Sequence, residues 1–157
     1  MAEASSSLAQ VLQKQGRTEE ARKVVETALA GGAQGADLYF ELGVIEASAS
    51  HWDRARFGFT KALSLDPRRD EALANLGMIA YQTGNPDEAI ACYERAARLA
   101  PRSVSYLATL GSLYLNAKSD PRTALTYYRR ALAADPYGKE APTLKEIIQG
   151  LEASEVE

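Results

Sequence analysis

Apolar residues recur along the chain at intervals of three and four positions, the spacing that places side chains on one face of an α-helix. Over residues 71–83, the positions Leu73, Leu76 and Ala80 follow this spacing. The sequence Gly-Asn-Pro at 84–86 then interrupts it, because glycine and proline are typical of turns. The pattern predicts a helix that ends near residue 83.

A second helix is predicted directly after this turn. Pro86 suits the first helical turn, and the acids Asp87 and Glu88 are favoured near the positive end of the helix dipole. The residue before Pro101 is pushed out of helical geometry, so the helix should end just ahead of it. Together the two segments form a helix-turn-helix unit.

This helix pair repeats with a period of 34 residues. In each strong copy a Leu-Gly pair is followed by two small alanines seven residues apart, and a proline closes the unit. The period divides the chain into four units: 2–35, 36–69, 70–103 and 104–138. The first unit is degenerate, because Ala9 and Ala33 stand where glycine and proline are expected.

The segment 139–153 is predicted to form one more amphipathic helix, followed by a short tail at 154–157. Its apolar residues follow helical spacing: Ala141, Leu144, Ile147, Ile148 and Leu151. We interpret it as a capping helix, because an uncapped repeat would expose its apolar face. The alternative is an amphipathic helix that binds a partner.

These motifs resemble the tetratricopeptide repeat, which also has a period of 34 residues. The matching positions in the second unit are Leu42-Gly43, Ala55, Phe59, Ala62 and Asp66-Pro67, and the third and fourth units match through the same kinds of residue. The resemblance implies an all-α, right-handed α-solenoid of stacked repeats. It also implies a concave groove, lined by the first helix of each unit, that binds peptides.

Composition supports the helical assignment. The chain has 28 Ala and 18 Leu, which are strong helix formers, against 11 Val plus Ile, which favour strands. The 18 Lys plus Arg and 21 Asp plus Glu give a formal net charge of -3. Nucleic acid is therefore not expected as a partner, because it requires a basic face.

Candidate chemistry is sparse, and we expect neither an enzyme nor a cofactor. The single His51 is predicted to be a solvated or capping residue, and the single Cys92 a buried, inert thiol. The glycine-rich stretch 31–35 lacks the Lys-Ser or Lys-Thr of a phosphate loop. The basic pairs 68–69 and 129–130 are interpreted as solvated faces.

The chain has no apolar run of membrane-spanning length and no signal-peptide pattern at its start. This favours a cytoplasmic protein without membrane insertion, unless the original beginning of the chain is missing.

The groove should have an apolar floor and polar, slightly acidic edges. Helical register, combined with the resemblance, selects these peptide-binding candidates: Phe40, Glu41, Val44, Glu71, Asn75, Met78, Tyr81, Gln82, Thr109, Ser112 and Leu115. The alternative interpretation is that Phe40, Met78 and Tyr81 belong to the core between repeats. A clamp for acidic C-terminal tails is not expected, because the required cations are missing from these positions.

The function predicted from these observations is a non-enzymatic adaptor that binds a peptide or helix of another protein. Two alternatives remain open. The chain could be an accessory targeting domain of a larger enzyme, or a scaffold that assembles with itself.

Overall fold

The computed structural model describes residues 1–154, and those residues form nine α-helices without a β-strand. The helices are α1 (Ala2–Lys14), α2 (Thr18–Ala30), α3 (Ala36–Ser48), α4 (Trp52–Leu65), α5 (Asp70–Gln82), α6 (Pro86–Leu99), α7 (Val104–Lys118), α8 (Pro121–Ala134) and α9 (Ala141–Ser154). None of the described helices is both long and apolar enough to cross a lipid bilayer.

The helix boundaries follow local signals in the sequence. Pro86 and Pro121 occupy the first turns of α6 and α8, as proline's fixed φ favours. The Asp120 carboxylate accepts a hydrogen bond from the Thr123 backbone N–H and so caps α8. The predicted helices starting at 71 and 86 begin within one residue of their observed starts.

The chain divides into two compact units. The N-terminal unit comprises Met1–Ile79, and the C-terminal unit comprises Ala80–Glu157, of which residues 80–154 are described. The boundary falls inside α5.

The N-terminal unit contains two clusters of buried apolar residues. One joins α1, α2 and α3 through Ala9, Leu12, Ala21, Val25, Leu38, Leu42 and Ile45. The other joins α3 and α4 to α5, and its buried members are Ala55, Phe59, Ala72 and Ile79. Both clusters combine small alanines with larger side chains, as the repeated pattern predicted.

Glycines allow α3 and α4 to approach each other closely. A Cβ added to Gly58 would lie 2.6 Å from the Gly43 backbone nitrogen and 2.8 Å from the Tyr39 carbonyl oxygen. A Cβ added to Gly43 would lie 2.7 Å from the Phe59 ring. These positions have no room for any side chain larger than hydrogen, which explains the glycine of the repeated Leu-Gly pair in this unit.

A buried carboxylate also ties the N-terminal unit together. Glu46 on α3 is fully buried. Its oxygens lie 3.2 Å from Arg54 Nη2 on α4, 3.7 Å from Arg22 Nε on α2 and 2.8 Å from His51 Nδ1. Three helices therefore share one buried charge, a feature that the sequence analysis did not identify.

The C-terminal unit has a single buried cluster. It joins Ala80, α6, α7, α8 and α9 around large members such as Leu107, Leu110 and Tyr128. From α9, Leu144 and Ile148 enter this cluster, and Arg129 on α8 donates a hydrogen bond of 2.6 Å to Glu152. The capping role of 139–153 remains a prediction. The predicted tail begins at Ser154, the last residue of α9, and its residues 155–157 lie outside the described chain.

Candidate peptide-binding surface

Three predicted floor residues meet in the N-terminal unit. Phe40 and Val44 on α3 and Met78 on α5 are all half-buried and pack against the cluster that contains Phe59. The Phe40 ring lies edge-on to the Phe59 ring, with 5.5 Å between their centroids. Each of the three side chains therefore has one side against the core and retains some exposed surface.

Arg69 covers part of this floor. Its guanidinium lies over the Phe40 ring, 4.1 Å from the centroid, and pairs with the carboxylate of Asp37. The Arg69 side chain is only 19% exposed, so the prediction of a solvated Arg68-Arg69 pair is wrong for Arg69. No local sequence pattern indicates this contact, because Asp37 and Arg69 are 32 residues apart.

Glu41 is placed differently from our expectation of an acidic edge. It is 6% exposed, and its Oε2 accepts a hydrogen bond of 2.6 Å from the side-chain amide of Gln13 on α1. Burial raises the pKa of the Glu41 carboxyl, although the Gln13 hydrogen bond and the charge of Arg69 act in the opposite direction. The carboxylate therefore contributes little exposed acidic surface.

This raised pKa predicts how stability should depend on pH. Because the folded chain holds a proton on Glu41 more tightly than the unfolded chain, ionisation of Glu41 destabilises the fold as pH rises through its folded pKa. We expect Glu41→Gln to raise the melting temperature at pH 7. The difference in melting temperature between variant and wild type should become smaller as pH falls through the folded pKa of Glu41. Thermal melts at a series of pH values test this, and a constant gap would contradict it.

Two of the three predicted polar residues of α5, Glu71 and Asn75, lie in the N-terminal unit and differ in their environment. Glu71 is exposed. Asn75 is half-buried, and its side-chain amide donates a hydrogen bond of 2.8 Å to the Glu71 carbonyl oxygen one turn earlier. The amide nitrogen of Asn75 is thus engaged by its own helix.

The remaining candidates lie in the C-terminal unit. At the end of α5, Tyr81 is 50% exposed and Gln82 is exposed. On α7, Thr109, Ser112 and Leu115 are half-buried. Leu115 packs against the buried cluster of this unit, and the Ser112 hydroxyl lies 3.0 Å from the Tyr128 hydroxyl. Tyr81 is therefore the candidate with the largest exposed aromatic surface.

A tyrosine network in the C-terminal unit was missed by the sequence analysis. The rings of Tyr114 on α7 and Tyr127 on α8 stack with 5.5 Å between centroids, and both hydroxyls donate to Glu94 Oε1, at 2.9 and 3.4 Å. Arg130 lies over the Tyr127 ring, 5.2 Å from its centroid. Burial, with the contact to Glu94, raises the pKa of Tyr114 to about 12. The network joins α6, α7 and α8.

The two remaining residues with reactive side chains are the single histidine and the single cysteine. His51 is the N-cap residue of α4, and its half-exposed ring contacts Glu46. Cys92 is buried and forms no disulfide. Within residues 1–154 no group of three or more His, Cys, Asp or Glu side chains is arranged to hold a metal ion.

Comparison with protein families finds two models, both described as tetratricopeptide repeat. One matches residues 7–70 and the other residues 68–136. Together they extend from the degenerate first unit to the end of the fourth. A comparison with curated proteins finds no match.

Solved structures share the fold. YrrB, described as a TPR protein with an unusual peptide-binding site, is 23% identical with a TM-score of 0.77, over 92% of this chain and 74% of YrrB. PilF of Pseudomonas aeruginosa is 24% identical with a TM-score of 0.81, over 98% of this chain and 68% of PilF. A MamA structure is 21% identical with a TM-score of 0.79, over 86% and 78% of the two chains. These similarities confirm an all-α helical-repeat fold of the solenoid class.

Proposed function

Because the chain belongs to the tetratricopeptide repeat family, we propose that it is a non-enzymatic adaptor that binds a peptide or helix of a partner protein on the first helices of its repeats. The family and the fold support a protein–protein interaction module in general. The location of the site and the kind of segment it binds are our proposal.

The observation that carries the proposal is the half-buried apolar floor of the N-terminal unit. Phe40, Val44 and Met78 lie on two first helices and share one core cluster beneath them. Side chains held from below lose little conformational entropy when a ligand covers them, so their exposed surface is well suited to binding. Methionine is also adaptable in shape, which suits contact with varied side chains.

The charges beside this floor are already paired. Asp37 and Arg69 neutralise each other, and the guanidinium of Arg69 lies over the Phe40 ring. Arginine is weakly hydrated on its planar faces and stacks on aromatic groups, so it extends the flat surface of the ring. An apolar or aromatic side chain of the peptide would therefore contact a surface that carries little net charge.

The similarity to YrrB supports the same idea, because that protein is described as having a peptide-binding site. At 23% identity the residues of such a site do not transfer to this chain, so the candidates here rest on this chain's own geometry.

The test uses a peptide selected on the intact chain from a random phage-displayed library. We expect Met78→Ala and Phe40→Ala each to weaken binding of that peptide by about 1–3 kcal/mol, because a few desolvated anchors carry most of the affinity. Phe57→Ala is the matched control, since Phe57 is also a partly exposed phenylalanine of the same unit but lies on the second helix α4. Fluorescence anisotropy measures the three dissociation constants.

Salt dependence provides an independent measurement on the same peptide. Apolar contacts are screened little by salt, so we expect affinity to fall only weakly between low and moderate ionic strength. A steep decrease, with binding lost in Phe57→Ala but retained in Phe40→Ala, would place the site on the second helices instead.

A further inference from the structure

The N-terminal unit contains an open cleft between α1 and α2. It has a volume of about 540 Å³, and its lining includes Ser5 from α1 and Val24 and Ala28 from α2. Lys23 lies at the same cleft. The lining is therefore largely apolar, with one cation.

The repeat register explains why the cleft is open. The 34-residue period equates Ser5 with Tyr39, Leu73 and Leu107. Leu73 and Leu107 are each 1% exposed, and the half-buried Tyr39 packs its ring 6.2 Å from that of Phe57. Three units place a large apolar or aromatic side chain at this position, and the first unit has serine. The cleft is the space that the missing side chain would fill.

A second departure from the repeat occurs at the turn between α8 and α9. The closing prolines of the second and third units are followed by Arg68 and Arg102, but Pro136 is followed by Tyr137. Tyr137 is 95% exposed, the most exposed aromatic side chain of the described chain. The chain thus presents an aromatic ring to solvent where the other units present a guanidinium.

The turn that carries Tyr137 is well ordered. The Asp135 carboxylate lies against Gly138, at the place where a Cβ would be, and the Gly138 N–H donates to the Asp135 carbonyl oxygen at 3.4 Å. Arg102 donates a hydrogen bond of 3.1 Å to the Ala134 carbonyl oxygen just before the turn. These contacts position the backbone of Tyr137 before the ring binds, which reduces the entropy cost of binding.

We propose that Tyr137 of one copy inserts into the Ser5 cleft of a second copy. The cleft has the position that Tyr39 fills in the next repeat, so an aromatic side chain is the occupant that the chain's own register indicates. The net charges are also opposite, because Lys23 lies at the cleft while Asp135, Lys139 and Glu140 beside Tyr137 together carry one net negative charge.

The surface beside the cleft adds apolar area to this contact. Leu8 and Val11 on α1 are 49% and 50% exposed. Their equivalents one repeat later, Leu42 and Ile45, are 7% and 0% exposed because the preceding helices cover them. The outer face of α1 therefore has the residues of a packed face without a helix against it, and the neighbouring copy covers part of it.

Such a contact joins two different surfaces. Two copies that exchange their tyrosines form a closed pair, whereas one-way insertion leaves a free cleft and a free tyrosine and produces chains of copies or rings. In both cases we expect the sedimentation mass of the intact protein to rise with concentration above that of the monomer.

Two variants test the contact from its two sides. Tyr137→Ala removes the inserted ring, and Ser5→Leu fills the cleft from within. Each should weaken association at least about tenfold, because one removes the inserted ring and the other removes the space that the ring would occupy. Ser5→Leu should also raise the melting temperature by about 2–4 °C, since it buries apolar surface in an existing space. Tyr137→Phe and Ser64→Leu are the matched controls and should associate like wild type, because Ser64 is an exposed serine on α4, away from the cleft.

Mixing the two variants provides the decisive measurement. The Ser5→Leu copy retains its tyrosine and the Tyr137→Ala copy retains its cleft, so the mixture should form 1:1 pairs that do not grow further. Sedimentation velocity of each variant alone and of the mixture measures this directly.

Three results would overturn the proposal. The first is an intact protein that stays monomeric up to about 1 mM, the limit of weak association. The second is association that Tyr137→Ala leaves unchanged, which would show that another surface is responsible. The third is a mixture that contains only monomers although each variant is folded. Tyr137 is exposed, so Tyr137→Ala is expected to fold even if Ser5→Leu does not.

Discussion

Phe59→Ala should lower the free energy of unfolding by about 3–5 kcal/mol, the range for truncating a buried phenylalanine. Phe59 is completely buried, lies against Gly43 and contacts the Phe40 ring. The cavity cannot close easily, because the backbones of α3 and α4 are already in contact at Gly58. Urea denaturation followed by far-UV circular dichroism measures the loss.

Phe57→Ala is the matched control for this prediction. Phe57 lies two residues earlier on the same helix, is 51% exposed and contacts only the edge of Tyr39 among the aromatic rings. We expect it to cost about 1 kcal/mol or less. Equal losses for the two variants would contradict the packing described for α4.

Gly58→Ala should destabilise the protein by about 2 kcal/mol. The new methyl group would meet backbone atoms of Gly43 and Tyr39 within 2.6 to 2.8 Å, and backbone cannot rotate away as a side chain can. Overpacking of this kind costs about 3 kcal/mol at the upper end of its usual range. The higher helix propensity of alanine offsets about 1 kcal/mol of this cost.

Substitution of Gly150 by alanine should instead increase the stability of the protein. Gly150 lies inside α9, and a Cβ there would meet no atom within 4 Å. Gly150→Ala is expected to stabilise the protein by about 0.5–1 kcal/mol through helix propensity alone. Melting temperatures that move in the same direction for both variants would show that close helix approach does not determine the requirement for Gly58.

The candidate surface was only partly predictable from the sequence. Helical register placed Phe40, Val44 and Met78 on first helices, and left open whether they line a groove or belong to the core. In the structure each is half-buried, because one side packs on the Phe59 cluster. Register gives the face of a helix on which a residue lies, whereas its degree of burial depends on the size of the neighbouring side chains.

Contacts between repeats were not predictable at all. Gln13 meets Glu41 across 28 residues of sequence, and Asp37 meets Arg69 across 32. These pairs form only when α3 packs beside α1 and beside the turn that precedes α5, and no local pattern indicates which polar residues will then face each other. The same reason explains why the buried Glu46 and its arginines were missed.

The sequence by itself determined the all-α class, the starts of α5 and α6 to within one residue and the family to which the repeats belong. Those features depend on interactions within a few residues, such as the spacing of apolar positions, proline and glycine at turns, and a period of 34. Only the tertiary structure decided where Arg69 lies, that Glu41 is buried and that Ser5 leaves an open cleft. Each of these depends on side chains brought together from different helices, whose positions are set by packing.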